Sequence, residues 1–152
     1  MINFYKKGMT VIEVLVVIAV LAIIFLIVLP QFSKSRENQV LKAGVADILS
    51  SINKARGNTL SSLNSSSYGV HFQSDKIIIF KGVVFSSGDL NNETIDIKTP
   101  AVISNISFLN GGSDIYFYRL SGAPNTTGTI TISTTSNSKI ITISATGVAS
   151  LN

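Results

Sequence analysis

The sequence predicts an α+β protein: one long N-terminal helix, apolar in its first half and amphipathic in its second, packed on an antiparallel β-rich head. Three observations predict it. Residues 14–29 are sixteen apolar residues without a charge. Leu41, Val45, Ile48, Ile52 and Ala55 then recur at intervals of four, three, four and three, a helical stripe. Beyond residue 67 the chain is rich in β-branched residues broken by Ser, Asn and Gly clusters, which reads as short strands and turns. Hydrophobic residues are 45% of the 152 and charged residues only 13%, about half the usual quarter. Mean hydropathy is +0.43, which sets the chain apart from disordered, highly charged sequences.

The first element starts near the N-terminus. From Met9 to Leu29 only Thr10 and Glu13 interrupt an apolar run. At about 1.5 Å per residue this stretch spans a hydrocarbon core of roughly 30 Å. Lys6 and Lys7 precede it, which predicts a cytoplasmic N-terminus and a head across the membrane. A cleaved secretory signal fits poorly, because the run is long and ends in Leu29-Pro30-Gln31-Phe32 with no small-x-small site. Glu13 stands out, since a carboxylate at the start of a membrane helix is costly to bury unless it has a task or stays hydrated.

The second half of the helix follows Pro30, which removes one intrahelical hydrogen bond and is a place to kink. The stripe predicts that this half lies on a sheet, with Leu60 and Leu63 extending it to about residue 63. Gly44 and Gly57 weaken it. Residues 64–67, Asn-Ser-Ser-Ser, break it. Strands are then expected at 68–73 and 76–81, joined as a hairpin, and at 94–98, 102–109, 115–119, 129–133 and 139–144. Turn-forming residues separate them, 86–92 among these.

The charge sits in the N-terminal third. Residues 57–152 carry five basic and five acidic side chains, so the head lacks the basic surface that nucleic-acid binding requires. Cysteine is absent, and His71 is the one histidine. A disulfide framework, a thiolate metal site and most triad chemistry are thereby disfavoured. His71 lies between Val70 and Phe72 in an expected strand, where a surface or cross-strand role is the ordinary one. Asp89, Asn91, Asn92 and Glu93 make an oxygen-rich loop. Its spacing lacks the order of a calcium-binding EF-hand and suits a solvated turn. No phosphate-binding glycine loop is present. No enzymatic activity, cofactor or metal is expected.

Residues 6–15, Lys-Lys-Gly-Met-Thr-Val-Ile-Glu-Val-Leu, with the apolar run directly after, resemble the class III signal of type IV prepilins and pseudopilins. That signal is a short basic leader ending in Gly, cut so that Glu is the fifth residue of the mature chain. The resemblance makes Gly8 the residue before the cut and Met9 the new, N-methylated terminus, where Phe is commoner. It makes Glu13 the fifth residue, and Pro30 the proline just past the membrane-embedded part. The implied layout is a leader 1–8, a transmembrane and filament-core helix 9–30, an amphipathic helix 31–63 and a globular head 64–152. The implied fold is pilin-like.

The implied function is that of a structural subunit of a type II secretion pseudopilus or type IV pilus. The implied partners are a prepilin peptidase that also methylates, other pilin or pseudopilin subunits, an inner-membrane assembly platform, and lipid before assembly. The implied place is the cytoplasmic membrane, crossed once, with the head outside. In that assembly Glu13 would pair with the new α-amino group of its own or a neighbouring subunit.

The head is more loosely similar to minor pseudopilins of the GspH/FimT type. Ala55-Arg56 at the helix end, Gly122-Ala123-Pro124 with the strand at 128–132, and the stretch at 141–148 with its Gly147 turn carry that similarity. Some FimT-type proteins are thought to bind DNA for natural transformation. The neutral head ranks that alternative lower.

Overall fold

The computed structural model describes residues 8–152, apart from the side chains of Leu29 and Pro30. The chain divides into two compact units, one ending at Arg36 and the other Glu37–Asn152. One helix, α1, runs Val11–Leu60 and contributes to both. In the first unit, every side chain described from residue 8 to residue 28 is exposed. A segment so apolar and so bare needs lipid or other helices around it. By length and composition, α1 qualifies as a membrane-crossing helix.

The second unit has its own core. Leu41, Val45, Ile48, Ile52 and Ala55 are all buried, so the sequence stripe is the buried face of α1 there. The stripe ends sooner than expected. Leu60 and Leu63 are 43% and 45% exposed, and the helix stops at Leu60. The next inward position after Ala55 is taken by Thr59, which is fully buried. Its hydroxyl donates to the Ala55 carbonyl at 2.9 Å and accepts the Tyr68 N–H at 2.9 Å. A polar group in the core is tolerated when it is bonded in this way, and here it ties the helix end to the first strand. Ser62, Asn64 and Ser65 then adopt left-handed φ near 50° around a short 3₁₀ turn, Leu63–Ser65.

Eight strands follow: β1 Tyr68–Phe72, β2 Lys76–Lys81, β3 Glu93–Asp96, β4 Val102–Phe108, β5 Asp114–Tyr116, β6 Gly128–Ser133, β7 Ser138–Ile143 and β8 Ala149–Leu151. They form two four-stranded sheets, ordered β3-β2-β1-β5 and β4-β6-β7-β8, and every pairing is antiparallel. In the first sheet Val70 faces Ile79 across the β1–β2 ladder. In the second, Ile130 faces Ile141 across β6–β7. All four are buried in one cluster with the α1 stripe. Phe72 meets Phe108 edge-on, with ring centroids 6.0 Å apart, so the two sheets share that core. Gly44 sits where a Cβ would run into the side chain of Ile132. The missing side chain lets α1 approach β6 closely, and this outweighs the helix propensity that glycine gives up.

The strand assignments differ from expectation in two places. β5 ends at Tyr116 rather than near residue 119, because Phe117 bridges to Pro124 and Leu120 turns the chain with φ 70°. β8 was not expected at all. It is three residues long and closes the second sheet against β7, with Leu151 opposite Ile141.

A protein lacking residues 1–30 keeps the α1 stripe and both sheets. It is expected to be soluble, and its circular dichroism spectrum is expected to show mixed helix and strand. A coil spectrum would contradict a self-sufficient core.

Candidate functional site

The N-terminal stretch is built around the start of α1. Gly8, Met9 and Thr10 precede the helix, and a Cβ at Gly8 would meet nothing within 4 Å. Met9 is 68% exposed. Thr10 accepts the Glu13 N–H twice over, at its carbonyl (3.1 Å) and weakly at its hydroxyl (3.4 Å). Thr10-Val11-Ile12-Glu13 therefore follows the capping-box spacing, with the acidic residue in the first helical turn. A carboxylate there is favoured by the unpaired N–H groups and the positive end of the helix dipole.

Glu13 thus has a local stabilising role before any partner is considered. It also stands four residues after Met9, a spacing of about one helical turn. Sequence reasoning passed over Thr10, although the Thr-x-x-Glu spacing was there to read.

Pro30 is not part of this cluster. Seventeen residues separate it from Glu13, about 25 Å of helix rise. It falls inside α1, which continues to Leu60. Lys6 and Lys7 lie outside the described residues.

In the second unit three stretches distant in sequence converge. Arg56 donates from Nε to the Gly122 carbonyl at 3.1 Å. A Cβ at Gly147, whose φ is +79°, would strike that same carbonyl and crowd the Arg56 side chain. Ala55-Arg56, Gly122-Ala123-Pro124 and the Gly147 turn thus form one junction, with Ala55 fully buried beneath it. Arg56→Ala removes a half-buried charged donor from a carbonyl and is expected to destabilise this unit by about 1–2 kcal/mol. Urea unfolding at constant m-value measures it; a change below a few tenths would count against the junction.

His71 pairs through Nδ1 with Oδ1 of Asp114 on β5, across the β1–β5 ladder. The Gln73 amide donates to His71 Nε2 at 3.1 Å. Phe85 stacks on the ring, with centroids 3.9 Å apart and planes 5° from parallel. Among the described residues, the hydrogen-bond partners of this histidine are Asp114 and Gln73. Next to Asp114 on β5, Tyr116 meets Tyr118 edge-on at 5.5 Å. The neighbouring Tyr118 phenol, with a lesser contribution from burial, holds the Tyr116 hydroxyl above the usual phenol range.

The oxygen-rich loop is internally used. Asp89 Oδ1 accepts the Asn91 N–H at 2.8 Å and its side-chain amide at 2.7 Å, and these bonds hold the Asp89 carboxyl below its ordinary value. Glu93 is turned to Lys54 at 2.6 Å. Among the described residues no group of three or more His, Asp or Glu could hold a metal ion.

Residues 3–29 match the family model described as the prokaryotic N-terminal methylation motif. The chain carries a class III signal. No curated protein and no solved structure matches the chain. The methylation motif is consistent with type IV pilins and pseudopilins, and it implies processing by a prepilin peptidase and pilin assembly. A long N-terminal helix followed by antiparallel sheets is a pilin-like arrangement. Motif and fold together indicate a structural subunit, a class that is typically non-enzymatic. The apolar helix and the motif fit a protein anchored in the inner membrane.

Proposed function

We propose that the chain is a minor, structural subunit of a filament built by a type II secretion or type IV pilus machine, with a head of the GspH/FimT type. The observation that carries this reading is the methylation motif at residues 3–29, which overlaps an apolar helical stretch whose described side chains are all exposed. Residues 1–8 are the leader, 9–30 the anchor and filament-core segment, 31–63 the amphipathic segment and 64–152 the head. Lys6 and Lys7 hold the leader in the cytoplasm, and the head stands outside. Cleavage after Gly8 frees the amine of Met9, which is then methylated.

Before assembly the bare helix is solvated by lipid. In the filament its neighbours are other apolar helices. The exchange is nearly neutral in hydrophobic terms, because lipid tails and apolar side chains are alike. Direction and register must then come from the few polar groups. Glu13 is the only charge between Met9 and Leu29, and the methylated amine, still a cation at neutral pH, is the complementary one. Pro30 marks where the membrane-embedded part ends.

In-membrane cross-linking tests the assignment. The chain is expected in covalent adducts with other pilin-type subunits, through residues between 9 and 30. Recovery of the uncross-linked monomer alone, from cells that are assembling filaments, would refute it.

A further inference from the structure

The connection between β4 and β5, residues 109–113, reads Leu-Asn-Gly-Gly-Ser and holds the one asparagine of the chain that precedes a glycine. That order matters chemically. The main-chain nitrogen after an asparagine can reach the side-chain amide carbon, and a side chain on the following residue stands in its way. Of the other described asparagines, Asn38, Asn53 and Asn58 lie in α1, where the ladder of helical bonds holds the backbone. The rest, Asn152 at the end apart, each precede a residue that carries a Cβ. Asn110 and Gly111 are both exposed, and a Cβ on Gly111 would meet nothing within 4 Å. Gly111 has φ +72°, in the left-handed region that favours glycine. The Asn110 side chain is folded along its own downstream backbone. A Cβ on Gly112 would lie 3.8 Å from both its oxygen and its nitrogen, and the Gly112 N–H donates to Oδ1 at 3.3 Å. This Asx turn keeps the amide carbon beside the next main-chain nitrogen. One bond resists: the Gly111 N–H donates to the Phe108 carbonyl at 2.9 Å, and it must open before the nitrogen is free.

We propose that Asn110 is a site of spontaneous covalent modification, at which the chain converts this asparagine to aspartate and isoaspartate. The Gly111 nitrogen gives its proton to water or hydroxide and attacks Cγ of Asn110. A C–N bond forms, the side-chain nitrogen leaves as ammonia, and a succinimide ring remains. Water then opens the ring at either carbonyl. One opening gives aspartate; the other leaves the main chain running through the side-chain carbon, as isoaspartate. Water is the sole co-reactant, and nothing is oxidised or reduced. Negative charge that develops on Oδ1 during the attack faces the Gly112 N–H, a donor already in place. The product adds a negative charge to residues 57–152, whose five basic and five acidic side chains otherwise balance. The new carboxylate enters the wall of a groove that Asn110 lines with Leu109, Pro124 and Asn125. Isoaspartate also lengthens the main chain between the two sheets by one carbon. The Ser113 carbonyl, which accepts the Phe72 N–H at 3.0 Å, moors the far end of the connection, so the change stays within the turn. An old subunit thus differs from a new one in the charge and backbone of this turn.

The test is a time course on the full chain in detergent, at neutral and mildly alkaline pH, with each sample digested in acid to halt the attack. Peptide mass spectrometry is expected to show a gain of about one dalton at residue 110. The gain should grow with time and with pH, because the attacking nitrogen must lose its proton. An isoaspartyl methyltransferase should label the same peptide. Asn125 and Asn137, also outside helix and strand, are references within the same molecule, and residue 110 should exceed each by about tenfold or more. Gly111→Ala places a methyl group beside the nitrogen and should slow the reaction by about tenfold, with a thermal melt to show that the variant folds. If it does not fold, Asn110→Gln takes its place: the longer side chain should abolish the isoaspartyl label on this peptide, and persistence of the label would overturn the site. No growth of the modified fraction in the parent, a fraction at residue 110 no larger than at Asn125 and Asn137, or a folded Gly111→Ala that reacts as fast as the parent, would each overturn the proposal.

Discussion

Glu13→Ala is expected to reach the membrane at wild-type levels, to be processed normally, and to fail at docking into a filament. Losing a carboxylate makes the anchor more apolar, so insertion does not suffer. The leader charges and Gly8 are untouched, so cleavage proceeds. The methylated amine, however, would enter a packed apolar core without its partner, and an uncompensated charge in a dry site is strongly destabilising. The deficit in incorporation should be on the order of 100-fold where water is excluded. The capping geometry adds a second, smaller effect. Thr10 would keep its bonds to the residue-13 N–H, but the first turn would lose its acidic side chain. Glu13→Gln keeps the length of the side chain but lacks the charge, so it should lose incorporation much as Glu13→Ala does. Quantitative co-purification with the other subunits, at equal membrane levels, measures both variants. Wild-type incorporation of Glu13→Ala would remove Glu13 from the assembly mechanism.

Ile52→Ala is expected to destabilise the head by about 2–5 kcal/mol, a large share of the 5–15 kcal/mol that a domain of this size usually has. Ile52 is fully buried among the side chains that join α1 to both sheets, and neither sheet can follow the retreating side chain without losing its register. The melting temperature of residues 31–152 should fall by roughly 10 °C or more. Val84→Ala, at a position 77% exposed, should stay within about 0.5 kcal/mol of the parent. Similar melting temperatures for the two variants would mean that α1 is not part of the core.

The parts of the fold that were legible in the sequence are those where one physical rule acts alone. Leu41 through Ala55 repeat with the period of a helix, and Lys76–Lys81 holds four apolar residues between two lysines. Elsewhere two rules competed. Gly44 reads as a weak point by helix propensity, but in the packed unit its missing Cβ admits Ile132. Leu60 and Leu63 continue the apolar period, yet Thr59 takes the inward place because a hydroxyl there can bond both Ala55 and Tyr68. β8 is too short to show a pattern before β7 is there to pair with it. The run Ile77-Ile78-Ile79-Phe80 signals burial on both faces, but it does not say that Phe85, beyond β2, packs edge-on against Phe80. The N-terminal signal is the opposite case. Its meaning rests on spacing within eight residues, from Lys6 to Glu13, and no tertiary contact is needed to read it.

The account rests on the chain being a processed prepilin-type subunit. The measurement that tests this most directly is mass spectrometry of the N-terminal peptide, from protein purified out of cells with an active prepilin peptidase. The account predicts that the peptide starts at Met9 and carries one added methyl group on its amine, with residues 1–8 gone. A chain that still begins at Met1, or one cut elsewhere and unmethylated, would contradict it.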